Sequence, residues 1–222
     1  MLIFMKTEEA LSIVNRWVAE NLKEETLLFK ADPEGSCDVS VDLQQLVRRS
    51  EELTRKLVDI KKQIRGQCLE QRCPEGICYF IYRRNDEKQV EPLYIGISET
   101  IGKKRKVSSL FTGGWARFGE ELNSNGHIGN INEVIHCRGA RYKHWCDRLF
   151  EPGYSPGKVT LSKPVYVGID LWRSDSCSML KSLGHTSLKL EEMLRLHLWR
   201  LAGFAGTLLN KDGNRQNAEA TI

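Results

Sequence analysis

A few side chains in this chain are of types that together do phosphate chemistry. Tyr79 and Tyr94 lie in neighbouring apolar runs beside Gly76 and Gly96. Lys103, Lys104, Arg105 and Lys106 follow within the next dozen positions, and no acid intervenes before Glu120. Glu191 and Glu192 sit together in a leucine-rich segment, and Asn210 closes "GTLLN". Hydrolysis of a phosphodiester needs an activated water, cations where equatorial charge gathers, and help for the leaving oxygen. A carboxylate is the natural hard ligand for a divalent cation, and one or two suffice for Mg²⁺ because the ion keeps its waters.

The elements that must position these groups follow from periodicity. "ICYFIY" (77–82) is β-rich, and "RRNDEKQVEP" (83–92) is a polar connection. In "LYIGIS" (93–98) alternation sends Leu93, Ile95 and Ile97 to one face and Tyr94, Gly96 and Ser98 to the other. An antiparallel pair is expected. "VYVGIDLW" (165–172) predicts a third strand, with Val165, Val167, Ile169 and Leu171 on one face. The segment 187–203 predicts a helix with a stripe of Leu190, Leu194, His197, Leu198 and Leu201, stopped at Gly203.

Ahead of the strands, residues 7–22 predict a helix with Ala10, Leu11, Val14, Trp17 and Val18 on one stripe. After a Pro- and Gly-bearing break at 31–38, residues 40–66 predict a second, with Val41, Leu43, Leu46, Leu53, Leu57, Ile60 and Ile64 near heptad spacing. It can pack on the main domain, form an arm, or pair with a second copy. The division expected is a helical arm over 1–70, for DNA contact or dimerisation, and a main domain over 71–222. A segment near 115–123 reads as a further helical piece, and "RYKHWCDRLF" (141–150) as another helix or an extended arm.

Composition sets wide bounds. With 222 residues, 41% hydrophobic and 28% charged, the chain is long enough for one core. A net charge of +4 is weak evidence for nucleic acid by itself. No apolar run approaches the roughly 20 residues of a membrane span. "MLIFMK" is too short for the core of a signal peptide. Seven cysteines without paired spacing suggest a reduced, cytoplasmic protein with buried thiols.

The order of pieces resembles the GIY-YIG nuclease family: strand, loop, strand with Tyr-Ile-Gly, basic segment, third strand, glutamate-bearing helix, then Leu-Leu-Asn. The resemblance covers about residues 76–212, with an insertion at about 107–160, and rests on "LYIGIS", "LEEMLRLHLW" and "GTLLN". It implies an α+β fold, a small mixed or antiparallel sheet flanked by helices. It implies a metal-dependent DNA endonuclease that uses Mg²⁺ or Mn²⁺. The alternative is a non-catalytic DNA- or RNA-binding module that retains the fold.

Carried over residue by residue, the second-strand tyrosine falls on Tyr94. The first-strand motif departs from Gly-Ile-Tyr: Gly76 and Ile77 are followed by Cys78 and only then Tyr79, so Tyr79, Cys78 or Tyr82 fills the role. A β-bulge is one way for Tyr79 to take it. The phosphate arginine falls on Arg105, with Lys104 and Arg117 as alternatives. The metal glutamate is Glu191, which borders the leucine stripe, or Glu192. Asn210 is the closing asparagine.

Lys103, Lys104, Lys106 and Arg117, with Arg138, Arg141 and Lys143 among the aromatics of "CRGARYKHWCDR", suit a DNA backbone. His136, Cys137, His144 and Cys146 lack a zinc spacing. Double-stranded DNA is the implied partner, with no membrane. The short chain suggests a stand-alone, restriction-type enzyme acting as a homodimer on a palindrome.

Overall fold

The computed structural model describes residues 5–37, 49–101, 147–154 and 159–210. The segment 115–123, most of 137–148 and the start of 40–66 lie outside these residues, as do Lys103, Lys104, Arg105, Lys106, Arg117, Arg138, Arg141 and Lys143.

The described chain is α+β. Strands β1 (Gly76–Arg84), β2 (Val90–Glu99) and β3 (Val165–Trp172) form a sheet in the order β2-β1-β3. Both pairings are antiparallel. A side chain on β1 therefore has neighbours on both sides, and its facing is fixed by two registers.

Helix α1 spans Thr7–Asn21 and α2 spans Glu51–Leu69. Ser50 caps α2 by accepting the Leu53 amide at 3.0 Å, and its own hydroxyl donates to the Leu27 carbonyl. The buried face of α2 is Leu53, Leu57, Ile60 and Ile64, the spacing read from the sequence. These pack with Ile77, Ile81, Val165 and Val167 on one face of the sheet. Helix α1 buries Ala10, Ile13, Val14 and Trp17 with Cys78, Phe80 and Tyr82 on the other. Trp17 meets Phe80 edge-on at 5.3 Å. The stripe of α1 is turned from the expected one: Ile13 is inside, and Leu11 is 37% exposed. Both helices supply the core beside the sheet. A sheet this small has two apolar faces and needs a cover on each.

Helix α3 (Leu188–Trp199) starts at Ser187, which caps the Leu190 amide, and runs into a π-helical turn at Arg200–Phe204. Gly203 sits at φ 98°, where a side chain would be strained, so the stop at glycine has a backbone cause. Its stripe also differs from the expected one. Leu188, Glu191, Leu194, Arg195, Leu198 and Trp199 are buried, whereas Leu190 is 44% exposed and His197 faces solvent.

Two further readings are corrected. Ile81 pairs with Tyr94 and Tyr82 with Pro92, so Leu93 is an extra residue in β2. That bulge sends Leu93 to the α2 side with Tyr94, away from Ile95. The thiols are also not all reduced: Cys68 and Cys73 form a disulfide. Helix α2 ends at Leu69, and Gln71 at φ 60° turns the chain back, which carries Cys73 alongside Cys68. Among the described residues no helix is long and apolar enough to cross a membrane.

At the far end of the hairpin, the Arg83 guanidinium grips Glu91 with two bonds of 2.7 and 3.0 Å, and Arg148 adds a third at 2.8 Å. Burial pushes the Glu91 carboxyl up, but Arg83 and Arg148 outweigh it and hold it below its usual range. Because the folded form is the stronger acid, this contribution is complete above about pH 4.3, the unfolded value. It is lost as pH falls through the folded value. Glu91→Ala should lower stability at pH 7 by about 2–3 kcal/mol. In urea denaturation the gap between wild type and variant should narrow as the pH is taken from 7 to 3.

Candidate active site

Register places Tyr79 opposite Gly96 and Ile81 opposite Tyr94. Tyr79 and Tyr94 are therefore diagonal neighbours on the α2 face. Their rings stack with centroids 5.9 Å apart, and their side chains are hydrogen-bonded. Gly96 makes this possible. A Cβ there would lie 2.5 Å from both Cζ and Oη of Tyr79 and 2.7 Å from Cε1 of Tyr94. The space above Gly96 is filled by the Tyr79 ring. Gly76 has a similar cause: a Cβ would lie 2.2 Å from the Ser98 carbonyl oxygen and 2.7 Å from Leu188.

The other candidates for the first tyrosine point away. Cys78 and Tyr82 belong to the opposite face, packed under α1 and α3. Burial pushes the Cys78 thiol up to about 12, so it is a protonated core group at neutral pH. Tyr82 stacks on Phe80 and Tyr166. No bulge in β1 is needed for Tyr79 to reach Tyr94; the irregularity lies in β2.

Burial, then the neighbouring Tyr94, then the charge of Glu192 raise the Tyr79 pKa well above its ordinary value. Tyr79 is thus a neutral hydroxyl at physiological pH. It can donate to a phosphate oxygen or pass on a proton, and it does not serve as a standing phenolate base.

Asn210 closes the outer edge of β2. Its Nδ2 donates to the Ile95 carbonyl at 2.6 Å, and its Oδ1 accepts the Ile95 amide at 3.0 Å. The Leu209 amide donates to the Leu93 carbonyl at 2.7 Å. The side-chain amide satisfies both backbone groups of the residue between Tyr94 and Gly96, as a further strand would.

The two glutamates separate sharply. Glu191 is wholly buried on the α1 side of the sheet. Its Oε1 accepts the Met179 amide and Arg195 Nε, both at 2.9 Å, and its Oε2 accepts the Thr186 hydroxyl at 3.0 Å. Arg195 Nη1 continues to Asp170 at 2.6 Å, and the guanidinium lies over Trp17 and Trp172 at 4.9 and 5.5 Å. Burial opposes the arginine's charge, but Asp170 and Glu191 favour it more strongly, and its pKa is raised. This geometry contradicts Glu191 as a metal ligand: its oxygens are spent inside the core. Glu192 is half-buried, and its charge is felt at Tyr79.

Sequence reasoning missed the roles of Arg195 and Asp170. The signal was present in "LEEMLR": Glu191 and Arg195 stand at i,i+4, the spacing of a helical ion pair.

Comparison of the chain with family models, with curated proteins and with solved structures found no match. Among the described residues no three His, Cys, Asp or Glu side chains gather as a metal cage. A single carboxylate such as Glu192 can suit Mg²⁺, which completes its octahedron with water and substrate phosphate.

Gly96→Ala tests the tyrosine platform. The added methyl cannot be accommodated without moving both rings, so a loss of about 1–3 kcal/mol is expected. The near-ultraviolet tyrosine circular dichroism should change while the far-ultraviolet spectrum is kept.

Proposed function

We propose that this chain is a metal-dependent DNA endonuclease of the GIY-YIG type, hydrolysing phosphodiester bonds on the tyrosine-bearing face. The observation that carries the reading is the hydrogen-bonded Tyr79–Tyr94 pair on one sheet face, held over Gly96. The pairing does not depend on a Gly-Ile-Tyr triplet, because Cys78 faces the other way.

In this reading Tyr79 and Tyr94 hold the scissile phosphate and its attacking water through neutral hydroxyls. Glu192, and not Glu191, would hold Mg²⁺ or Mn²⁺; the ion would supply charge for the phosphate and acidify a water. Asn210 keeps the strand between the two motif positions in register. Arg105 and its basic neighbours, outside the described residues, are proposed as the phosphate-binding cations. A restriction-type enzyme cutting a palindrome would work as a homodimer.

The test is cleavage of plasmid and phage DNA with Mg²⁺ or EDTA. Wild type should give discrete Mg²⁺-dependent fragments. Glu192→Ala should melt like wild type and cut at least about 10²-fold more slowly, the size of losing one group that stabilises transition-state charge. Glu191→Ala should lose about 3–5 kcal/mol of stability, since it removes the buried anion of Arg195 and the acceptor of the Met179 amide and Thr186 hydroxyl. Full cleavage by Glu192→Ala would overturn the assignment. DNA binding without cleavage in any divalent metal would favour a non-catalytic binding module.

A further inference from the structure

Among the described residues strand β3 is an edge strand, and one stretch of its outer edge is open. In the antiparallel ladder with β1, alternate residues point their backbone groups inward and outward. The Leu28 amide bonds the Val165 carbonyl and the Val167 amide bonds the Thr26 carbonyl, so odd-numbered residues of β3 point outward. By the same alternation Ile169 and Leu171 do too. The Leu171 carbonyl accepts only a long bond from the Ser176 hydroxyl, at 3.4 Å. The Ile169 amide, the Ile169 carbonyl and the Leu171 amide carry no hydrogen bond from any described residue.

These groups border a polar cavity of about 450 Å³ lined by Ile169, Asp170 and Leu171, with Arg16, Trp17 and Arg195 among the other walls. The Arg195 side chain is 3% exposed and spends two donors on Glu191 and Asp170. A guanidinium has five, so three remain. The lining holds Arg16, Arg173, Lys181 and Arg195 against Glu20 and Asp170. Lys181 is paired with Glu20, Arg173 with the outlying Asp175, and Arg195 with Asp170 and the deeper Glu191. Arg16, exposed on α1 within range of the Glu20 charge, is the lining cation with no hydrogen-bonded anion among the described residues.

We propose that this edge is a docking site for the extended C-terminal end of a partner peptide. Its backbone would add to β3 at Ile169 and Leu171, and its terminal carboxylate would meet Arg16 and the spare donors of Arg195. The ladder of amide and carbonyl groups selects an extended backbone. The site is closed at both ends, by Thr26 on Val167 and by the turn from Arg173 to Met179 that brings Ser176 onto Leu171. It therefore has room for a few residues and suits a chain end, not a through-running strand. The exposed arginine selects the charged terminus. The site lies on the edge of the sheet remote from β2 and Asn210, and the proposal is independent of the nuclease reading.

The experiment uses the full-length ¹⁵N-labelled protein and a mixed library of acetylated tetrapeptides, as free acids and as C-terminal amides. In the unliganded protein the Ile169 and Leu171 amides should lack exchange protection while Gly168 and Asp170 have it. Free acids should shift these two amides and change the fluorescence of Trp17 and Trp172. The amides should bind about tenfold more weakly, the loss of one charge-assisted contact. Arg16→Glu should weaken the acids to a similar extent without lowering the melting temperature. Protection of both amides in the unliganded protein would overturn the proposal, because the edge would then be covered by this chain itself. So would acids that move neither amide, equal binding of acids and amides, or Arg16→Glu binding like wild type.

Discussion

The buried guanidinium of Arg195 is the constraint on which the rest of this structure leans. An unpaired cation in a protein interior costs many kcal/mol, so the fold must bring anions to it. Glu191 comes from its own helix, one turn back, and Asp170 comes from β3. Trp17 of α1 and Trp172 of β3 supply ring faces. Glu191 also holds the Met179 amide and the Thr186 hydroxyl, which fixes the segment leading into α3. One charged cluster thus ties α1, β3, α3 and a connecting loop together. Geometry of this kind tolerates little rotation of α3 about its axis.

That rotation determines which acid goes where. With Glu191 turned into the core, Glu192 emerges a hundred degrees further round, within reach of the Tyr79 field. A helical wheel drawn from leucines places the stripe on Leu190 and Leu194 and makes Glu191 the edge residue. The observed stripe includes two charged side chains, Glu191 and Arg195, and leaves Leu190 and Met193 largely in solvent. Hydrophobic periodicity cannot find a face whose packing is dominated by a buried ion pair. The i,i+4 spacing of Glu191 and Arg195 was the clue, and it reads equally well as an ordinary surface pair.

Other parts were legible because their physics is local. The face of β3 carrying Val165, Val167, Ile169 and Leu171 follows from alternation, and it packs with α2. The stripe of α2 from Leu53 to Ile64 follows from its spacing. What failed depended on non-local facts. The bulge at Leu93 is set by register with β1, and it moves Leu93 to the side opposite its alternation partners. The function of Gly96 is set by a ring from the neighbouring strand. In each case the sequence specifies the residue, and only the partner strand or helix specifies its use.

We propose that the chemistry belongs to the tyrosine face and that Glu192, not Glu191, would hold the ion there. Paramagnetic broadening by Mn²⁺ in the full-length protein tests it without any assay of cleavage. Ring signals of Tyr79 and Tyr94 and the backbone signals of Glu192 should broaden first, and Glu192→Gln should remove the effect. The Met179 and Thr186 amides, around Glu191, should stay sharp until much higher Mn²⁺. Broadening centred on Met179 and Thr186, or broadening at the tyrosines that survives Glu192→Gln, would contradict it.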